Sequence, residues 1–304
     1  MKNLRKNGEN SILVLAIAML VFGPVACNHT ASNNGPAVDT GDAKAAAERI
    51  AEADTLYDGR EDLSKARVAV ASLRQARTAD YGNYEAAWKL ARAAFYVAEH
   101  TDNDSERDDM YREGIEAGKV AVQLQPNKPD GHFWLGANYG GSAAHSTIAN
   151  LSSFEDIKRE MDAVLKLDES YQGYSAYLGL GRLYLQAPKI LGGDTAKAIE
   201  YLEKGVKLNP TNTLMRVDLA KAYEAANRHA EAKKQIDIVM AATPDPKYAP
   251  EHKDAVTEAK KLLEKIEQNR GLPGFDLNLI RVIGGHCFAR RLISSRVCLC
   301  CSSF

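Results

Sequence analysis

Residues 213–244 read TLMRVDLAKAYEAANRHAEAKKQIDIVMAATP, and this stretch decides the fold. Leu219-Ala220 and Tyr223 lie one helical turn apart, so they share one face of a first helix. Ala232, Ile236 and Val239 mark the apolar face of a second helix. Pro244 ends it, because proline cannot continue the hydrogen-bond ladder. The small residues let two antiparallel helices approach closely, and the aromatic fills the gap towards the next hairpin.

The same offsets recur upstream. Leu180-Gly181 and Tyr184 are followed by Ala198, Leu202 and Gly205, and then by Lys207-Leu208-Asn209-Pro210. Leu135-Gly136 and Tyr139 are followed by Ile157, Met161 and Val164. Leu90-Ala91 and Ala94 are followed by Gly114, Gly118 and Ala121, and then by Gln123-Leu124-Gln125-Pro126. A weaker pair opens the series, with Ala53 and Leu56, then Ala69, Leu73 and Ala76. An ordinary bundle has no reason to repeat such offsets. The spacings resemble the tetratricopeptide repeat and imply an all-α solenoid of about five antiparallel helical hairpins over residues 44–270. The Lys- and Glu-rich run from Glu251 to Arg270 is expected to be the polar capping helix that a solenoid needs at its end.

Composition agrees. Hydrophobic residues make up 45% and charged residues 26% of 304, and the formal net charge is −1. That balance suits a soluble globular body and leaves no electrostatic footprint for nucleic acid. Alanine inside Leu/Glu/Lys-rich stretches favours helix.

The two ends read differently. Lys2, Arg5 and Lys6 precede an apolar run from Ile12 to Phe22, too short to span a bilayer and suited to a signal-peptide core. Ala26 stands directly before Cys27, which resembles a lipobox in which the cysteine becomes acylated, although Pro24 sits where such motifs usually carry Leu. A plain secretory signal is the alternative. Residues 1–27 are thus read as a signal segment and 28–43 as a polar, flexible tether to the membrane. Asn28 after the cysteine leans towards outer-membrane sorting. Residues 271–304 carry Cys287, Cys298, Cys300 and Cys301 among arginines and apolar residues, with no repeat pattern and no normal zinc spacing, and are read as an atypical, poorly ordered tail.

No catalytic signature is present, neither His-Glu-x-x-His nor Gly-x-Ser-x-Gly nor a phosphate-binding loop, so a binding role without cofactor or metal is expected. His132 and His145 flank one insertion and could approach each other, but a lone pair of histidines without a carboxylate partner suits structural histidines. Asp102, Asp104 and Glu106 echo a calcium loop, but Arg107 occupies the position where its sharp turn needs Gly. A helix cap at Ser105, with Asp108 three residues on, explains that run better.

Two segments carry a narrower resemblance. Phe133-Trp134-Leu135-Gly136-Ala137-Asn138 opens the third hairpin, followed by a long excursion through His145 and Ile148 to Phe154. Leu191-Gly192-Gly193-Asp194 follows the first helix of the fourth. Together they resemble the T component associated with tripartite ATP-independent periplasmic (TRAP) transporters, over about Ala51 to Lys265. The resemblance implies a periplasmic lipoprotein on the outer membrane that assembles as a trimer. It also implies a partnership with a solute-binding protein and a hydrophobic small ligand. The rival reading is a generic scaffold for cell-envelope complexes.

In such hairpins the first helix lines the concave face. That places Trp88, Arg92, Phe95 and Tyr96 towards the groove in the second hairpin, and Phe133 in the third with Asn138 and Tyr139 near its edge. The fourth contributes Leu178 and Arg182, the fifth Val217 and Lys221. Aromatics with a few cations suit an apolar body bearing a polar or anionic end. Each aromatic could equally belong to the inter-repeat core.

Overall fold

The computed structural model describes residues 42–145 and 151–271. The signal segment with Cys27, the tether up to residue 41, the centre of the excursion after His145 and the tail from residue 272 lie outside the described residues.

The described residues form paired helices in chain order. The pairs are α1 (Ala43–Asp58) with α2 (Leu63–Ala79), α3 (Tyr84–His100) with α4 (Asp104–Leu124), and α5 (Pro129–His145) with α6 (Leu151–Leu167). After them come α7 (Tyr171–Gln186) with α8 (Thr195–Leu208), α9 (Thr213–Ala225) with α10 (His229–Ala241), and a single α11 (Ala249–Gly271). Partners within each pair pack on each other, and each first helix also packs on the first helix of the next pair: α1 on α3, α3 on α5, α5 on α7, α7 on α9 and α9 on α11. The first helices therefore form a continuous inner layer, with the second helices outside. This is an all-α helical repeat solenoid.

Local chemistry sets the boundaries. Asp42, Asp62, Asn83, Asn103, Asp194 and Asn212 each cap a helix by accepting a first-turn amide. The cap of α4 is thus Asn103, not Ser105. Gly181 is one of the tight predicted small positions, since a Cβ there would overlap the side chain of Leu202 on α8. The excursion after Tyr139 is mostly helix: α5 runs on to His145 and α6 begins at Leu151. At the start of α7, Gln172, Gly173 and Tyr174 are left-handed, with φ of 48°, 66° and 68°. The Asn209 side-chain amide donates to Gly173 O at 3.1 Å and ties that turn to the end of α8 in the same hairpin.

Charge pairs run between equivalent positions of the first two hairpins. Arg67 grips Glu106 and Arg74 grips Glu113, each pair 39 residues apart and each a two-bond fork.

The final helix does more than cap. Ala255, Ala259, Leu262 and Ile266 bury the apolar face of α11 in the core it shares with α9 and α10. Its first turns also reach the first two hairpins: Arg60 binds Glu251, Lys253 meets Glu61 at 2.6 Å, and His100 meets Asp254 at 3.1 Å. The polar face that sequence reading leaves to solvent closes the solenoid across its two ends.

Candidate functional site

The inner layer presents three side-chain groups. The first joins α1 to α3. The Arg92 guanidinium lies 4.0 Å from the Tyr57 ring centre and 5.1 Å from that of Trp88. It also donates to Asp54 at 3.2 Å. Lys89, nearly buried, holds the other oxygen of Asp54 and pairs with Glu85. Burial pushes the Tyr57 phenol up, although Arg92 and Arg60 pull the other way. Trp88 is half-buried in this group.

The second group is aromatic. Trp134 stands between Phe95 at 5.9 Å and Phe133 at 5.0 Å, and Phe133 continues to Tyr171 at 5.4 Å. Tyr171 and Tyr84 both donate to Asp130, at 3.1 and 3.0 Å, so one carboxylate aligns the starts of α3, α5 and α7. Further along α5, a Cβ on Gly140 would meet nothing within 4 Å.

The third group joins α7, α9 and α11. Asp218, almost fully buried, accepts from Arg182 and pairs with Lys221 at 3.3 Å. Lys221 also faces Glu258 at 3.5 Å. Burial opposes the Arg182 charge, but Asp218, with the fields of Glu99 and Glu258, more than offsets it and raises its pKa. Groups from α3, α7, α9 and α11 therefore act on a common interior.

Of the residues nominated from sequence, Trp88 and Arg92 come together, Arg182 and Lys221 meet on Asp218, and Phe95 and Phe133 are joined through Trp134. Five placements need correction, and Leu178 and Val217, both buried in the larger core, are two of them. Tyr96 is buried, stacked on His100 at 3.9 Å and edge-on to Tyr57. Asn138 is wholly buried, donating to Ala91 O at 3.0 Å and Trp134 O at 2.7 Å; Gly114 on α4 leaves room for its amide oxygen, so it ties α3 to α5 instead of edging a groove. Tyr139 is half-buried against the larger core. The nominated cations are also already engaged, Arg92 with Asp54 and Arg182 and Lys221 with Asp218.

His132 does have a carboxylate beside it: Nδ1 lies 2.6 Å from Glu160 and Nε2 lies 3.0 Å from Pro126 O. His145 instead stacks on Tyr111. Glu106 of the calcium-like run is held by Arg67 and Thr101, and the Arg67 hydrogen bonds pull its carboxyl down to about 2 against some opposing burial.

Asp54, Trp134 and Asp218 are not among the residues that sequence reasoning nominates. A signal for the carboxylates exists, since Asp54 precedes Lys89 by 35 residues and Asp218 follows Arg182 by 36, about one repeat in each case. Trp134 follows Phe133 directly, and neighbouring residues of a helix point to different faces, so placing Phe133 on the inner face does not select it.

Residues 190–250 match a tetratricopeptide-repeat family. A thermophilic TPR protein of Thermus thermophilus, TTC0263, is 19% identical and aligns over 72% of this chain and 99% of its own, with a TM-score of 0.55. The chain carries a tetratricopeptide-repeat domain. Residues 49–187 of this repeat protein also match the family described as regulator of microtubule dynamics protein 1-3. PilF of Pseudomonas aeruginosa is 16% identical over 74% of this chain and 93% of its own, with a TM-score of 0.47. A comparison with curated proteins found no match.

Proposed function

We propose that this repeat protein works by capture instead of catalysis, binding a partner or an apolar ligand on the interior face of its solenoid. The observation that carries the reading is the aromatic series Phe95–Trp134–Phe133 on the inner helices, with Trp88 over Arg92 beside it. Large rings on a rigid helical layer offer contact area at little cost in side-chain entropy. The cations nearby are already balanced by Asp54 and Asp218, so an anionic end-group would have to displace an internal carboxylate. Recognition in this reading is mainly apolar.

The finer proposal is that the partner is the solute-binding protein of a TRAP-type transporter and the ligand a hydrophobic small molecule. The two motif segments around Phe133 and Leu191 support it. Acylated Cys27 would tether the domain to the periplasmic face of the outer membrane, and a trimer would be the working form. Cys27→Ala should then release the protein into the soluble periplasmic fraction; unchanged membrane retention would sink the anchor. The self-balanced charges favour a second reading, a general scaffold for envelope complexes, since they ask nothing of an anionic ligand. Calorimetric titration with a purified TRAP solute-binding protein separates the two. Saturable binding supports the transporter role, and absence of heat leaves the scaffold.

A further inference from the structure

The contacts that close the solenoid are polar, and one of them is titratable. His100 ends α3 and Asp254 lies in the second turn of α11, 154 residues later. The imidazole Nε2 faces Asp254 at 3.1 Å and Nδ1 faces the Tyr96 carbonyl at 2.8 Å. Both partners are acceptors, so only the imidazolium, with a proton on each nitrogen, satisfies both. A neutral ring must turn a lone pair towards one of them. The ring is also fixed in place, stacked on Tyr96, whose other neighbours are Tyr57 and the Arg60 guanidinium 5.7 Å from its ring centre.

The surrounding charges reinforce this. From its own helix His100 faces Glu99, and α11 brings Asp254 with Glu251 one turn earlier. The α1–α2 turn contributes Arg60, whose charge is spent on Glu251. The apolar face of α11 points elsewhere, into the core with α9 and α10. Among the described residues its hold on the first two hairpins includes three charged contacts, of which only His100–Asp254 carries an imidazole, the side chain whose charge changes near neutral pH.

We infer that His100 is a proton-operated latch: as the imidazolium it pins the start of α11 across the interior, and as the neutral ring it lets that helix start detach and opens the interior face. Burial lowers the His100 pKa, but the Asp254 hydrogen bond and the Tyr96 carbonyl outweigh it and the net direction is upward. A group raised on closure holds it fully below its ordinary value near ~6.5 and releases it as pH rises through the closed-state value. Closure is therefore the acid-side state and opening the alkaline-side state.

Hydrogen exchange of the full chain, read by mass spectrometry and corrected for intrinsic exchange at each pH, tests this. Between pH 6 and pH 8.5 protection of amides in residues 251–260 should fall several-fold, while protection in α4 and α8 stays level. His100→Gln should give low, pH-independent protection in the same segment. Should His100→Gln fold poorly, Asp254→Asn must show the same loss of pH dependence, whereas His132→Gln must retain it. Protection of residues 251–260 that is level with pH in the wild type would overturn the latch. So would a fall that persists in both His100→Gln and Asp254→Asn.

Discussion

Arg60 holds Glu251 across 191 residues of sequence with three hydrogen bonds. Nη2 reaches the two carboxylate oxygens at 2.7 and 2.8 Å, and Nε reaches one of them at 3.2 Å. The guanidinium is nearly buried and lies 5.0 Å from the Tyr57 ring centre, so removing the Glu251 carboxylate takes away a counter-charge in a largely apolar setting. Glu251→Gln is expected to cost about 2 kcal/mol, below the range for a fully buried pair because Glu251 keeps some solvent. Arg60→Lys should also lose stability, since an ammonium cannot make the fork. Urea midpoints check both, and a neutral Glu251→Gln would mean the closure carries no free energy.

Two glycines on the inner helices should respond with opposite sign. Gly181 faces Leu202 with no room for a Cβ, so Gly181→Ala should overpack and cost about 1–3 kcal/mol. Gly140 has nothing within 4 Å of an added Cβ, so Gly140→Ala should stabilise α5 by about 0.5–1 kcal/mol. Chemical denaturation of the two variants decides it, and equal effects would refute the repeat register.

Trp88 and Phe133 should separate in a melting experiment. Phe133 is wedged between Trp134 and Tyr171 and borders the larger core, so Phe133→Ala should cost about 3 kcal/mol. Trp88 lies over Arg92 at the edge of its group, and Trp88→Ala should cost less than about 2 kcal/mol. Equal losses in Tm would move Trp88 into the core and take the aromatic face with it.

Acid should reach Glu106 only after it has reached an ordinary carboxylate contact. Its pKa, held near about 2 by Arg67, lies below the ordinary carboxyl value, so its contribution is complete above that value and is lost as pH falls towards 2. The stability gap between wild type and Glu106→Gln should be widest between pH 5 and 7 and close near pH 2. A gap that is constant with pH would assign the effect to packing alone.

The hairpins are legible in the sequence because their determinants are local. Leu180-Gly181-Tyr184 or Leu219-Ala220-Tyr223 announces a helix face within four residues, and Pro210 marks the end of its hairpin. Asp54 with Lys89 and Asp218 with Arg182 are readable in principle, at the spacing of one repeat, once opposite charges are sought at equivalent positions. Periodicity misplaces Asn138 because its burial depends on the Gly114 backbone of a neighbouring helix, which no spacing reports. The meeting of Arg60 and His100 with α11 is invisible for a different reason. It depends on the accumulated curvature of all five hairpins, and no short stretch of sequence encodes that sum.

In the proposed function the interior aromatic face captures the partner. Its most direct test is a calorimetric titration of a purified TRAP solute-binding protein into the wild type, Trp88→Ala and Ile190→Ser. Ile190, in the Lys189–Leu191 turn, is 90% exposed and stands apart from the inner layer. Trp88→Ala should weaken binding by about 30-fold, the equivalent of about 2 kcal/mol for an aromatic anchor, and Ile190→Ser should leave it unchanged. Full affinity in Trp88→Ala with a loss in Ile190→Ser would contradict the claim and move the capture surface to the α7–α8 turn.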